Sequence, residues 1–314
     1  MPYDPQIIYT PAYDIHFYGI EKMHPFDTRK YSRAYALMRA ACGESLLRRT
    51  RRPLAPANRA DLLTVHSADY LRSLRSSRQI ARIVEMPILA RLPQPLLYLR
   101  VLRPMLWGVA GTMLATDLAF QAGIAVNLSG GYHHCHRDNG EGFTIFSDIG
   151  IAIHHARHSG LLPPEKKVLI IDLDAHQGNG HERIFANNPS IYIFDMYNMD
   201  IYPRDSSARA RIDWDIPLLS GCEGRDYLRT LKAALPKAIA AAGDVGLALY
   251  IAGTDVYERD LLGRMRLDDD EVVARDQYVF QTLRAANIPC VMTLGGGYSR
   301  ESYQLIARSV MTLL

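Results

Sequence analysis

At 314 residues, with 48% hydrophobic and 22% charged residues and a formal net charge of +3, the chain has the composition of a globular protein and room for one large α/β core. That balance argues against nucleic acid as a specific partner. The four cysteines (Cys42, Cys135, Cys222 and Cys290) lie far apart without a C-x-x-C pair, which argues against a disulfide framework or a thiolate zinc site and fits a reducing cytoplasm.

The N-terminal "MPYDPQIIYTPAYDIHFYG" lacks a basic and apolar leader pattern, and no run of about 18 apolar residues occurs. Neither export by a plain signal peptide nor a membrane span is expected. In chain order, short apolar runs read as buried parallel strands: "QIIYT" near residue 8, "IAVNLS" (124–129), "KVLIID" (167–172), "SIYIFD" (190–195), "GLALYIAGT" (246–254) and "IPCVMTL" (288–294). Continuous hydrophobicity without alternation is what a strand covered on both faces requires.

Helical patterns lie between the strands. "SDIGIAIHHARHSG" (147–160) carries Ile149, Ala152, Ile153 and Ala156 at helix spacing and Gly160 as a stop, while "DYLRTLKAALPKAIAAAG" (226–243) is expected to be interrupted or kinked at Pro236. Pro87, Pro93, Pro95 and Pro104 mark residues 85–104 as an irregular surface connection. The alternation of strands and helices predicts a single three-layer α/β domain over 1–314 with a mostly parallel central sheet.

Charge is uneven: residues 1–110 hold 17 Lys and Arg against 8 Asp and Glu, and residues 111–314 hold 19 against 25. The basic "LLRRTRRP" (46–53) and "LRSLRSSRQIAR" (71–82) read as arginines on the wet faces of helices, with an acidic partner or anionic lipid as the alternative.

The chemistry collects after four strands. "GGYHHCHRDNGEGF" follows residue 129, "DLDAHQGNGHE" ends the strand at 172, "AGTDVYE" follows 251 and "GGGYS" follows 294. Ligands of open parallel sheets sit beyond the carboxyl ends of the strands, so four glycine-rich turns with titratable groups converge on one edge. In an extended segment residues i and i+2 face the same way, so Asp174 and His176 can share a metal with Asp255 from another strand end. One imidazole and two carboxylates leave an open position on a divalent ion, the pattern of a catalytic site; zinc is the first choice, and iron, cobalt or manganese could use the same ligands.

His133 and His134 follow two glycines that supply the tight turn needed to aim adjacent side chains at one point. One can serve as a base, and its neighbour can orient or tune it through a carboxylate such as Asp172. Tyr298, after three glycines, could donate a hydrogen bond to a developing oxyanion.

With these residues in hand, the sequence resembles the zinc-dependent histone deacetylase family, most closely its class IV branch, over about residues 7 to 310. The four blocks above match that family's active-site blocks in order, and "YGIEKMHPFDTRKY" (18–31) resembles the class IV loop bordering the substrate channel. The resemblance implies hydrolysis of acyl-lysine amides by one zinc per chain, held by Asp174, His176 and Asp255. His134 would be the general base, and His133, paired with Asp172, would act electrostatically or as the acid. Tyr298 would polarise the carbonyl, Gly142 and Phe143 would line the acyl-lysine tunnel, and Gly296 and Gly297 would shape its wall. A structural K+ would sit on the backbone around Asp172, Asp174 and His176, with residues near Asp195.

Asn179 stands where class I members carry an Asp facing the second histidine, which should leave His134 less basic. Class IV resemblance further implies long fatty acyl substrates besides, or instead of, acetyl. Alternatives are deacetylation of small N-acyl amines such as acetylpolyamines, a catalytically dead acyl-lysine-binding scaffold, and a binuclear ureohydrolase of similar fold. The last would need a second-metal carboxylate that "AGTDVYE" does not offer.

Overall fold

The predicted apolar runs become the middle of an eight-stranded, all-parallel sheet in a computed structural model that describes residues 3–17 and 19–314. The strands are β1 (Gln6–Ile8), β2 (Thr50–Arg51), β3 (Ile124–Asn127), β4 (Lys167–Asp172), β5 (Ile191–Asn198), β6 (Trp214–Leu218), β7 (Val245–Ile251) and β8 (Cys290–Thr293). Their order across the sheet is β2-β1-β3-β8-β7-β4-β5-β6, and every pairing is parallel.

Side chains of β3 and β8 are buried at every position, and those of β4 at all but the first. Since successive side chains point to opposite faces, the sheet is covered on both sides and forms the middle layer of a single α/β domain. The helix Arg103–Ala122 packs along β1, β3 and β8, and Gly224–Ala242 packs on β4 and β5.

The four strands that deliver the chemistry, β3, β8, β7 and β4, are neighbours at the centre of the sheet. Asp174 and Gly296, 122 positions apart in sequence, therefore end up side by side. The two strands absent from the sequence reading, β2 and β6, are the edges, where only one neighbour and partial burial leave no continuous apolar run.

Two expectations are corrected. Of the interruption or kink expected at Pro236, the interruption is absent, and the helix runs unbroken from Gly224 to Ala242. Proline removes the N–H that would bond the carbonyl of Lys232, and the Tyr278 hydroxyl donates to that carbonyl instead, at 3.1 Å. Residues 85–104 are not an irregular surface connection but helical turns (Pro87–Arg91, Gln94–Leu97, Tyr98–Leu102) that lead into the long helix. Leu89, Leu97, Val101 and Leu102 are buried in a second apolar cluster with Phe17, Met105 and Ile145, which the prolines alone did not reveal.

The helix Asp148–His158 starts where predicted, with the Ser147 hydroxyl accepting from Gly150 N. Arg48, Arg72, Arg75, Arg78 and Arg82 are exposed, as expected of wet helix faces, and all four cysteines are free. Among the described residues no helix is long and apolar enough to cross a membrane.

Candidate active site

The turn after β3 carries the paired histidines. Gly130 and Gly131 have φ of 75° and 79°, and the buried Asp148 carboxylate accepts the backbone N–H of Gly131 and Tyr132, each at 2.9 Å. Gly180 N donates to the His133 carbonyl at 2.8 Å, tying this turn to the helix Asn179–Ile184 after β4. Both histidines are nearly sealed from solvent.

Their partners differ. His133 Nδ1 lies 2.8 Å from Asp172 Oδ2, and its Nε2 is 3.7 Å from Asp174 Oδ1. Burial opposes a charge on His133, but the carboxylates of Asp172 and Asp174 outweigh it and pull the imidazole up to about 9. His134 Nδ1 lies 2.8 Å from Asn179 Oδ1, a neutral acceptor. Burial, then the neighbouring His133 and His176, hold His134 well below the usual imidazole range. The hydrogen bond to Asn179 acts in the opposite direction, supporting the charged ring, but burial and the neighbouring imidazoles outweigh it.

Asp174, His176 and Asp255 converge from β4 and β7. Each offers one ligand atom, and these atoms lie within 4.8 Å of one another. His176 Nδ1 is 2.9 Å from Asp255 Oδ2 and 3.1 Å from Asp174 Oδ1. Burial and then the Asp174 charge push the Asp255 carboxyl up to about 7. The glycines pack against the same carboxylates: a Cβ on Gly296 would lie 2.2 Å from Asp255 Oδ2, and Gly296 N donates to Asp174 Oδ2 at 2.6 Å. The donor set, its charge and its close-packed walls therefore fit a divalent ion such as zinc.

Tyr298 stands over this triad, its ring 5.9 Å from that of His176 and 6.1 Å from that of Phe143. Burial and the charges of Asp255 and Asp174 hold its phenol well above the usual range, so it remains a donor. Asp260 sets its backbone, accepting from Tyr298 N at 2.6 Å and Ser299 N at 3.1 Å.

Next to a surface cleft lined by His134, His176 and Tyr298 lies a cavity that reaches His133, His134 and Tyr298. Its throat is formed by His24, Phe26, Phe143 and Tyr298, with Gly142 and Gly296 on the wall. Most of its lining is apolar, including Ile20, Val84, Met86, Leu89, Val101 and Met105. Gly297, predicted on that wall, instead packs on Thr254 and Ser302, and Gly295 takes the wall position. His181, which begins the helix after β4, is buried beside Asp172 at 3.6 Å and outside the triad.

Sequence reasoning missed several contributors. Lys30 is wholly buried, its ammonium donating to the carbonyls of Gly295 (3.1 Å) and Gly296 (2.9 Å) and lying over the Phe26 ring at 4.3 Å. Burial draws it down to about 8 against the pull of Asp255 and Asp174. Asp148, Asp260 and Glu141 were missed for the same reason: each acts on a residue distant in sequence. A charged residue within a motif otherwise made of glycine and aromatic residues, as in "NGEGF", was the one available signal.

Residues 24–314 match the histone deacetylase domain family. The chain belongs to the histone deacetylase family. A protein of Arabidopsis thaliana named Histone deacetylase 2 is 43% identical over 307 residues, 98% of this chain and 78% of that protein. A probable deacetylase of Methanothermobacter thermautotrophicus is 28% identical over 312 residues, 94% and 86% of the two chains. The crystal structure of the HDA15 HD domain superposes with a TM-score of 0.73 at 19% identity, covering 98% of this chain and 89% of that one, a likeness of fold. The chain is thus a histone deacetylase-family hydrolase with its candidate site at the carboxyl ends of the central strands.

Proposed function

We propose that this protein is a zinc-dependent hydrolase of N-acyl-lysine amides, of the class IV branch, acting in the cytoplasm. The observation that carries the reading is the meeting of two histidine dyads of opposite character, one on Asp172 and one on Asn179, over a single Asp174, His176, Asp255 triad. Zinc held by that triad would supply Lewis-acid chemistry to the amide and its attacking water.

The chain's own groups do the rest. His134, neutral and with Nδ1 turned to Asn179, presents Nε2 as the acceptor for the water proton. His133, kept as a cation by Asp172, stabilises the negative charge that grows at the carbonyl oxygen, and the Tyr298 phenol donates a hydrogen bond to the same oxygen. The proton taken by His134 passes to the lysine nitrogen as the C–N bond breaks. Phe143, His24 and Tyr298 form a narrow collar suited to an unbranched aliphatic stem.

The apolar lining of the cavity supports the fatty acyl reading, since Ile20, Val84, Met86, Leu89, Val101 and Met105 would meet an alkyl chain rather than a polar group. The class IV assignment rests on residues 18–31. Tyr18 lies outside the described residues, while Glu21, His24, Phe26, Thr28 and Tyr31 of that stretch line the cavity. The second buried cluster, Asp172, His181 and Asp195, lies where the structural K+ is expected, and Asp195 Oδ1 is without a partner there.

Fluorogenic lysine peptides acylated with chains of increasing length test the proposal, assayed with zinc, after chelation and with a hydroxamate. Turnover that is abolished by chelation, restored by zinc and rising with chain length is the expected result. Turnover insensitive to chelation would refute the zinc reading, and activity on acetyl or on acetylpolyamines alone would refute the fatty acyl reading.

A further inference from the structure

The two dyads pose different problems of orientation. A carboxylate is an acceptor at both oxygens, so Asp172 can only receive the N–H of His133. An asparagine amide offers an acceptor at one end and a donor at the other. If the amide of Asn179 were turned over, its NH2 would face His134 Nδ1, the ring would have to carry its proton on Nε2, and no lone pair would be left for the attacking water. Something outside the dyad must choose the orientation.

Glu141 is placed to do so. Asn179 Nδ2 donates to Glu141 Oε1 at 2.6 Å, while Asn179 Oδ1 lies 2.8 Å from His134 Nδ1. A flipped amide would set its oxygen against the Glu141 carboxylate, lone pair to lone pair, and lose a charge-assisted hydrogen bond. The backbone that carries the carboxylate is itself held: Thr144 N and Thr144 Oγ1 both donate to the Glu141 main-chain carbonyl, at 2.9 and 2.8 Å. The next residue, Gly142, lies flush on the base, since a Cβ there would come within 2.4 Å of His134 Cδ2. One short turn thus fixes the base's partner, touches the base's ring, and with Phe143 forms the throat of the cavity.

We propose that Glu141 is a positioning residue that selects the orientation of the Asn179 amide and, through it, the tautomer in which His134 keeps Nε2 free to accept a proton. This rests on the reading of His134 as the base.

The test uses zinc-loaded, 15N-histidine-labelled protein with Glu141→Ala and Glu141→Gln. Glutamine keeps size and hydrogen bonding but can present either a donor or an acceptor, so a merely structural role would be rescued by it and an orienting role would not. The wild type is expected to hold His134 wholly in the Nδ1–H tautomer, and both variants to populate the Nε2–H form. In Glu141→Ala, kcat on an acyl-lysine peptide should fall on the order of 10-fold with KM within about twofold, the size typical of losing an outer partner of an active-site group. That loss should vanish in an Asn179→Ala background, because coupled residues do not add.

An unchanged tautomer in both variants would overturn the proposal, as would a Glu141→Ala loss undiminished by Asn179→Ala. Should the wild type prove inactive on every acyl-lysine peptide, the function fails on its own, and the tautomer measurement alone decides the role of Glu141.

Discussion

His133 and His134 are adjacent, share one turn and are equally buried, yet the first is drawn up to about 9 and the second is held well below the usual range. Burial alone would neutralise both rings. What separates them is the partner: two unit charges about 4 Å apart are worth on the order of 4 kcal/mol at an effective dielectric of 20, and His133 faces two carboxylates within that distance. The amide facing His134 carries only a dipole. Two residues of one type thereby take up the opposite tasks of holding a charge and accepting a proton.

The largest way to break this comparison is His134→Ala. With zinc still bound, kcat is expected to fall about 10³-fold, within the 10²- to 10⁴-fold span of general acid–base catalysis. Steady-state kinetics alongside elemental analysis checks this, and a rate within tenfold of wild type would sink the assignment.

Asp172→Asn comes next, because it makes the first dyad resemble the second. His133's folded value lies above the ordinary 6.5, so its pairing stabilises the metal-free protein fully below about pH 6.5 and is lost as pH rises through about 9. Urea unfolding of wild type and variant at pH 6 and 9.5 should therefore give a stability gap that narrows at the higher pH. A gap independent of pH would mean that His133 is not held as a cation.

The smallest effect is expected from Asn179→Asp, which makes the second dyad resemble the first. A carboxylate facing His134 raises its basicity, so the acid limb of the kcat/KM profile should move to higher pH by about one unit. The shift should grow when Glu141→Gln is added, since Glu141 lies 2.6 Å from the amide and would repel the new carboxylate. A profile that does not move would show that the partner of His134 does not set its basicity.

How far the sequence carried the fold and the site follows from the same physics. The central strands were legible because parallel strands buried on both faces must be continuously apolar, and their ends were legible because titratable groups stand out against that background. The edge strands β2 and β6 were not, since Thr50–Arg51 and Trp214–Leu218 lack such a run. Asp174, His176 and Asp255 were found from spacing and strand ends. Lys30 and Asp148 were not, because nothing local marks a residue whose partner lies on a different loop, and Glu141 was signalled only by its charge within "NGEGF". The apolar chamber escaped for a related reason: Leu89, Val101 and Met105 line it only after helical turns fold a proline-rich stretch against the cavity.

The division of charge between the two histidines is tested most directly by the 15N shifts of histidine-labelled, metal-free protein at pH 7.5. The account predicts that both ring nitrogens of His133 carry protons, while His134 is neutral with its proton on Nδ1. A neutral His133, or a protonated His134, would contradict it.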